Sequence, residues 1–264
     1  MEHLLQFEFR KWRQRKSLYI CLGVLVAYLI LSMLFVSVLI TAEEASLRAE
    51  GIAPADFGEY ITYPTAVEYV FFTGSDILST LLCIFASLSI GEDYSNATFK
   101  TICTRGYTRW QIYISNWTVI MATAFLYTAA SMLTNLIGGA ILFPFGTPDA
   151  EMVSAFFVGF LGTLAYTTLY IAIATAVRSA AGSIAIGILA PPIVRTFLSL
   201  EELVWPRNID FRFSHYTISS LTALWGWNDS MALIDRVFLS SVFLLVYAAI
   251  FTLIGALFVR RQEV

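Results

Sequence analysis

The sequence predicts an all-α membrane protein with six transmembrane helices, and three observations support this prediction. Hydrophobic residues make up 58% of the 264-residue chain and charged residues only 13%, which is far more apolar than a soluble domain requires. The mean hydropathy is accordingly positive, at +0.73. Six apolar segments are long enough to cross a hydrocarbon layer of about 30 Å, which takes about 20 residues of helix.

The first segment, residues 1–16, predicts an amphipathic interfacial helix at the membrane surface. Basic residues alternate there with leucine and aromatic side chains, a pattern that places the rings at the acyl boundary and the charges near phosphates. The residues expected to anchor this helix are Phe9, Arg10, Lys11, Trp12 and Arg13. A cleaved signal peptide is the alternative, but the apolar run that follows is too long for one and lacks a convincing small-residue cleavage site.

Six predicted spans follow, and together they make the whole chain a single transmembrane domain. They are residues 17–42, 69–91, 117–143, 153–177, 183–200 and 237–259. The fifth span contains Pro191 and Pro192, which lack backbone donors, so we expect a kink or break there. An even number of spans places both termini on the same side of the membrane.

The distribution of basic residues orients the predicted spans. The side that carries both termini and residues 92–116 holds eleven Lys or Arg residues, whereas the opposite side holds four together with many carboxylates. Cytosolic loops carry the excess of positive charge in membrane proteins. We therefore expect a multi-pass protein of the cell (plasma) membrane with its N- and C-termini in the cytosol.

Two connections on the outer side are too long for simple turns. Residues 43–68 contain Pro54, Gly58 and Pro64 among carboxylates, which predicts an exposed loop with room for one short helix. Residues 201–236 are rich in aromatic side chains, which favours short helices lying in the outer interface. The aromatic residues concerned are Trp205, Phe211, Phe213, Tyr216, Trp225 and Trp227.

The connection between the second and third spans carries the most informative motif. The acidic pair Glu92-Asp93 follows the second span, and then come Asn96-Ala97-Thr98-Phe99-Lys100-Thr101-Ile102 and Arg105-Gly106-Tyr107-Thr108-Arg109-Trp110-Gln111-Ile112-Tyr113. This order of residues resembles the first cytosolic loop of ABC-2 type transporter permeases. The motif covers residues 91–113, and the six predicted spans extend the resemblance to the whole chain.

The resemblance implies that this loop carries a coupling helix, which docks on a separate ATPase. Glu92 and Asp93 would accept hydrogen bonds from basic groups of that partner, and Phe99 and Ile102, three residues apart on one helical face, would fill a groove. Without the resemblance, an ordinary solvated loop with positive-inside charges is the better interpretation. The residues expected to take part in coupling are Glu92, Asp93, Tyr94, Asn96, Thr98, Phe99, Lys100, Ile102 and Arg105.

The predicted function is that of the permease subunit of an ATP-driven ABC exporter, which moves amphipathic or antimicrobial peptides, or other hydrophobic compounds, by alternating access. The resemblance implies two copies of a cytosolic ATPase, a second permease chain in a homo- or heterodimer, and interfacial or re-entrant helices between spans five and six. This chain has no GxxxxGK[ST] phosphate loop. ATP and Mg therefore belong to the partner, and we expect no enzyme activity, cofactor, metal or nucleic acid here.

Two alternatives come from other functional classes. An ATP-independent secondary transporter or channel would carry several charges at the membrane midplane, whereas only two charged residues lie inside the predicted spans. An intramembrane protease is the weakest alternative. Glu43-Glu44-Ala45-Ser46-Leu47-Arg48 and Phe211-Arg212-Phe213-Ser214-His215 match two motifs of such proteases, but the further membrane-embedded histidine is missing, since His3 is the only other one.

The two charged residues inside the predicted spans are Asp76 and Arg195. They lie roughly 10 Å and 7.5 Å from the outer ends of the second and fifth spans, at 1.5 Å per residue. A charge in hydrocarbon costs roughly a few kcal/mol unless it is paired or hydrated, which favours a salt bridge between them. The pair is therefore a candidate outer gate, and independent snorkelling of each side chain to the interface is the alternative.

Overall fold

A computed structural model of the chain describes residues 2–49, 63–96, 98–143, 150–200, 213–223 and 232–260. Within these residues every regular element is a helix. Six of the helices are long and apolar enough to cross a membrane. The predicted all-α class with six spans is therefore confirmed for the part of the chain that the structure describes.

Nine α-helices and one short 3-10 helix make up these ranges. The 3-10 helix is Phe213–Tyr216. The α-helices are α1 Glu2–Gln14, α2 Lys16–Ala49, α3 Tyr63–Ser95, α4 Thr98–Thr104, α5 Arg109–Leu142, α6 Ala150–Val177, α7 Ala180–Ser199, α8 Ile218–Ala223 and α9 Leu233–Arg260. The six spanning helices are α2, α3, α5, α6, α7 and α9.

Helices α3 and α6 form the centre of the bundle. Helix α6 packs most extensively against α9 and α3, and α3 also contacts α2, α5 and α7. Most of the spanning part of α3 and of α6 is buried, whereas α2 and α7 are mostly exposed. The exposed side chains of α2 and α7 are largely apolar, as a surface in contact with lipid requires.

One end of the bundle holds α1, α4 and the end of α9, and we call it the α4 end. The Tyr113 hydroxyl near the start of α5 donates a hydrogen bond to the Thr252 carbonyl of α9 at 3.0 Å. A Cβ added at Gly91 of α3 would lie 2.5 Å from the Ala180 nitrogen, so the turn between α6 and α7 lies at this end too. The end of α9, the start of α5 and the start of α7 thus lie at the same end of the bundle.

The prediction of a loop over residues 43–68 is wrong at both ends of this range, because both flanking helices extend into it. Helix α2 continues to Ala49 and α3 already begins at Tyr63. Residues 42–49 are rich in alanine and glutamate, which favour helix, and Pro64 lies in the first turn of α3, where the missing donor costs no hydrogen bond. The short helix expected in this connection falls on residues 50–62, outside the described ranges.

Of the kink or break expected at Pro191 and Pro192, the break does not occur, because α7 runs without interruption from Ala180 to Ser199. Helix α7 as a whole packs against α3 and α6. The Thr196 hydroxyl also donates a hydrogen bond to the Pro192 carbonyl at 2.8 Å. Neighbouring helices and Thr side chains commonly make prolines tolerable in spanning helices.

The connection between α7 and α9 is described only for the 3-10 helix, α8 and the residues next to them. Helix α8 packs against α6 and buries Leu221. The Tyr247 hydroxyl of α9 donates a hydrogen bond to the Tyr216 carbonyl at 2.9 Å. The tryptophans at 205, 225 and 227 and Phe211 lie outside the described residues, so the interfacial position of this connection stays a prediction.

Candidate coupling site at the α4 end

Helix α4 is held closely between two spanning helices. It follows α3 directly, and Gly106, with φ of +88°, turns the chain toward α5 in a conformation that favours glycine. Helix α5 then begins with a capping box: the Thr108 side chain accepts a hydrogen bond from the Gln111 N–H, and the Thr108 N–H donates to the Gln111 side chain at 2.9 Å. Both ends of α4 are thereby fixed to long helices.

The inner face of α4 packs on the chain itself. Phe99 and Ile102 are 8% and 6% exposed and join the main hydrophobic core. The Phe99 ring stacks on Tyr94, with 5.3 Å between the ring centroids. Phe99 and Ile102, predicted to fill a groove of a partner, attach α4 to its own bundle in this structure.

The outer face of α4 is exposed and basic. Lys100, Thr101 and Thr104 are exposed on the helix, and Arg105 is exposed directly after it. Of the other residues expected to take part in coupling, Glu92 and Asn96 are exposed and Thr98 is half-buried. Lys100 and Arg105 therefore offer positive charge to any protein that contacts this face.

The Asp93 side chain on α3 is buried, unlike the side chains on the outer face of α4. Only 7% of its side chain is exposed, and it forms an ion pair with Lys11 of α1. The Arg15 guanidinium, between α1 and α2, lies 3.5 Å from the same carboxylate. The Asn116 amide of α5 donates a hydrogen bond to the other carboxylate oxygen at 3.4 Å. Asp93 thus joins α1 to α3 and α5 inside the chain.

Further charged groups surround this contact, and we call the whole set the α1 ion cluster. Arg15 also pairs with Glu92 at 3.1 Å and donates a hydrogen bond to the Ser89 carbonyl at 3.3 Å. Lys11 lies 3.5 Å from the Glu8 carboxylate. All four ion pairs among the described residues belong to this cluster. Its members are Glu8, Lys11, Arg15, Glu92 and Asp93.

The membrane-interface residues predicted on α1 divide between two faces. Phe9, Arg10 and Arg13 are exposed, as an anchor in the membrane interface requires. Lys11 instead turns toward Asp93, and the Trp12 indole N–H donates a hydrogen bond to the Thr123 hydroxyl of α5 at 2.7 Å. Helix α1 is therefore attached to the bundle by one face and leaves the other free for lipid.

Four residues of this contact region were not predicted as site residues: Glu8, Arg15, Asn116 and Thr123. One signal was available, because Asn116 and Thr123 are seven residues apart and therefore share one face of α5. Polar groups on an otherwise apolar helix indicate a buried partner. The sequence does not show that this partner is α1, because the contacts join residues more than a hundred positions apart, such as Trp12 and Thr123.

We expect the stability of the α1 attachment to depend on pH through Glu8. Its side chain is 4% exposed, and burial raises the pKa of the carboxyl above the ordinary value of 4.5, while the Lys11 charge opposes the rise. Because the folded state binds this proton more tightly, the stabilising contribution of Glu8 is full below pH 4.5 and is lost as the pH rises through the higher pKa of the folded state.

We expect Glu8→Gln to remove that loss, because glutamine stays neutral at every pH. The thermal unfolding temperature of the purified protein, measured from pH 4 to pH 8, should fall less steeply with rising pH for this variant than for the wild type. Glu2→Gln, a change at an exposed position of the same helix, should leave the pH dependence unchanged. Identical profiles for wild type and Glu8→Gln would show that Glu8 is not the titrating group.

Asp76 and Arg195, the candidate outer gate, are both exposed in this structure. Neither forms an ion pair within 4 Å with another described residue. The gate therefore stays a prediction about another state of the protein. Across the described ranges, no group of three or more His, Cys, Asp or Glu residues is placed to hold a metal ion.

These features define a multi-pass α-helical membrane protein with a short helix clamped between two spans. A family model of the ABC-2 family transporter proteins matches residues 4–190. The chain belongs to the ABC-2 family of transporter proteins. The match runs from α1 into α7 and includes α4 and the α1 ion cluster, and membership implies an ATPase partner. No curated protein matches this sequence significantly.

Proposed function

We propose that this chain is the transmembrane permease subunit of an ATP-driven exporter and that α4 is its coupling helix. One observation carries the proposal: α4 is fixed to its own bundle by Phe99 and Ile102 and presents a basic face outward. A short helix with this arrangement moves together with the two spans that flank it. Two permease chains and two copies of a cytosolic ABC ATPase complete the transporter.

The charges at this end define which surface of the ATPase meets α4. Asp93 is engaged by Lys11 and Arg15, so the outward charges are those of Lys100 on α4 and of Arg105 directly after it. The surface of the ATPase that contacts them is therefore acidic, since opposite charges steer and orient such contacts. Closure of the ATPase pair then displaces α4, and the Phe99 and Ile102 contacts transmit the displacement to α3 and α5.

In this proposal the protein lies in the plasma membrane, and its α4 end is on the cytosolic side. The excess of basic residues on that side supports this orientation. Alternating access moves the cargo to the other side. Amphipathic or antimicrobial peptides and other hydrophobic compounds are the proposed cargo, on the ground that the apolar spans offer aromatic and aliphatic contacts.

Charge reversal on α4 tests the coupling role. We expect Lys100→Glu with Arg105→Glu to reduce co-purification of the ATPase at least about tenfold, because like charges across an interface cost several kcal/mol. Arg260→Glu changes an exposed charge at the same end of the bundle and should have little effect. Co-purification and ATP hydrolysis equal to the wild type in the double variant would contradict the proposal.

A further inference from the structure

Asp76 on α3 and Arg195 on α7 are exposed charges in the half of the bundle away from α4. We propose that together they bind the zwitterionic headgroup of an amphiphile. Asp76 on α3 receives the ammonium group, and Arg195 on α7 receives the phosphate or carboxylate. This inference rests on the proposed function only for whether the bound amphiphile is also transported.

Two close approaches fix how α3 and α7 lie against each other. A Cβ added at Gly91 would lie 2.5 Å from the Ala180 nitrogen, and one added at Gly187 would collide with the Cys83 sulfur. Later residues of α7 therefore meet earlier residues of α3. The two helices are antiparallel neighbours, with the start of α7 beside the end of α3.

Asp76 and Arg195 occupy the same level of this helix pair. Each lies about 22 Å from the contact between Gly91 and Ala180, at 1.5 Å of rise per residue. Both are exposed, and no ion pair within 4 Å joins either one to any residue that the structure describes. Charges inside a span are costly unless they are paired or hydrated, so this level of the bundle favours a charged ligand.

Two stacked tyrosines on α6 lie near the level of Asp76. Tyr166 and Tyr170 stack with 6.1 Å between ring centroids. The Tyr170 hydroxyl hydrogen-bonds to the Ser79 hydroxyl of α3 at 2.5 Å. A Cβ added at Gly159 of α6 would collide with the Phe71 ring of α3. Because Gly159 and Tyr170 meet α3 at residues 71 and 79, Tyr166 between them lies near the level of Asp76.

A zwitterion suits this arrangement better than a simple ion. An anion alone leaves Asp76 uncompensated, and a cation alone leaves Arg195 uncompensated, whereas a zwitterion neutralises both and adds no net charge to the membrane. An ammonium group is also attracted to aromatic faces such as that of Tyr166. The exposed apolar side chains of α7, among them Val194 and Phe197, can contact the tails of an amphiphile.

Native mass spectrometry of the purified full-length chain tests the site. The probes are a short-chain phosphatidylethanolamine, the matching phosphatidylglycerol, and an alkyltrimethylammonium of equal chain length. We expect the wild type to retain the phosphatidylethanolamine at least about tenfold better than either singly charged probe, because two charge-assisted contacts form instead of one.

The variants give the decisive comparison. Asp76→Asn and Arg195→Gln should each reduce retention of the phosphatidylethanolamine about ten- to a hundredfold, and Asp235→Asn, an exposed carboxylate at the start of α9, should retain it like the wild type. Equal retention of all three probes by the wild type, or wild-type retention by both site variants, would overturn the proposal.

The lipid that co-purifies with the protein before any probe is added distinguishes two sources of the headgroup. A phospholipid that co-purifies with the wild type and is missing from Asp76→Asn identifies a membrane lipid. Retention of the added probe without any co-purified lipid identifies an exchanging amphiphile. Binding needs no ATPase, so its failure leaves the coupling proposal standing, and failure of coupling leaves the binding result unaffected.

Discussion

Gly91→Ala is expected to destabilise the protein more than any other single methyl addition at the α4 end. The added Cβ would lie 2.5 Å from the nitrogen, 2.6 Å from the Cα and 2.7 Å from the Cβ of Ala180. Two of these atoms are backbone, so no side-chain rotation can relieve the clash. Overpacking costs about 1–3 kcal/mol, and we expect the upper part of that range because α3 and α7 must separate.

Thermal unfolding of the purified protein measures this effect, and about 2–4 °C is lost per kcal/mol for a chain of this size. Gly23→Ala is the matched control, since nothing lies within 4 Å of a Cβ at that position of α2. There alanine should be neutral or stabilise the helix by about 0.5–1 kcal/mol. Equal unfolding temperatures for the two variants would mean that α3 and α7 do not approach at Gly91.

Asp93→Ala is the second change with a large expected effect. It leaves Lys11, with 23% of its side chain exposed, and Arg15, with 10%, without their shared carboxylate. Removing one partner of a buried ion pair costs about 3–5 kcal/mol. Helix α1 should detach from α3, which lowers the unfolding temperature and speeds trypsin cleavage at Arg10 and Arg13.

Glu92→Ala is the control for Asp93→Ala because it changes the neighbouring carboxylate. The Glu92 side chain is 51% exposed, and exposed ion pairs contribute only about 0–1 kcal/mol. A second control is Lys11→Ala with Asp93→Ala, which should cost less than the sum of the single changes because the two residues interact. If Glu92→Ala and Asp93→Ala behave alike, Asp93 does not hold α1.

The spans were predictable from the sequence because apolar length is a local property. The different roles of Glu92 and Asp93 were not. Neighbouring residues of a helix point about 100° apart, so one carboxylate is exposed and the other is buried, but only the fold determines which. The same limit applies to Phe99 and Ile102: their spacing identifies one apolar face of α4 without identifying the surface that it covers.

The two errors in the fold have a common cause. The loop predicted for residues 43–68 and the break, one of the two outcomes predicted at Pro191, both came from residue types that favour irregular backbone. In the structure, Pro64 occupies the first turn of α3 and α7 continues through its proline pair. Position within a helix and contact with neighbouring helices decide such cases, and neither can be read from residue type alone.

The attachment of α1 also sets an order of events during synthesis. Lys11 and Asp93 are 82 residues apart, and Trp12 and Thr123 are 111 residues apart. A ribosome adding about 5–20 residues per second produces Asp93 about 4–16 seconds after Lys11. During that interval the membrane surface is the available partner for the apolar face of α1. A nascent chain released before the end of α3 has been made therefore carries an α1 without its Asp93 partner.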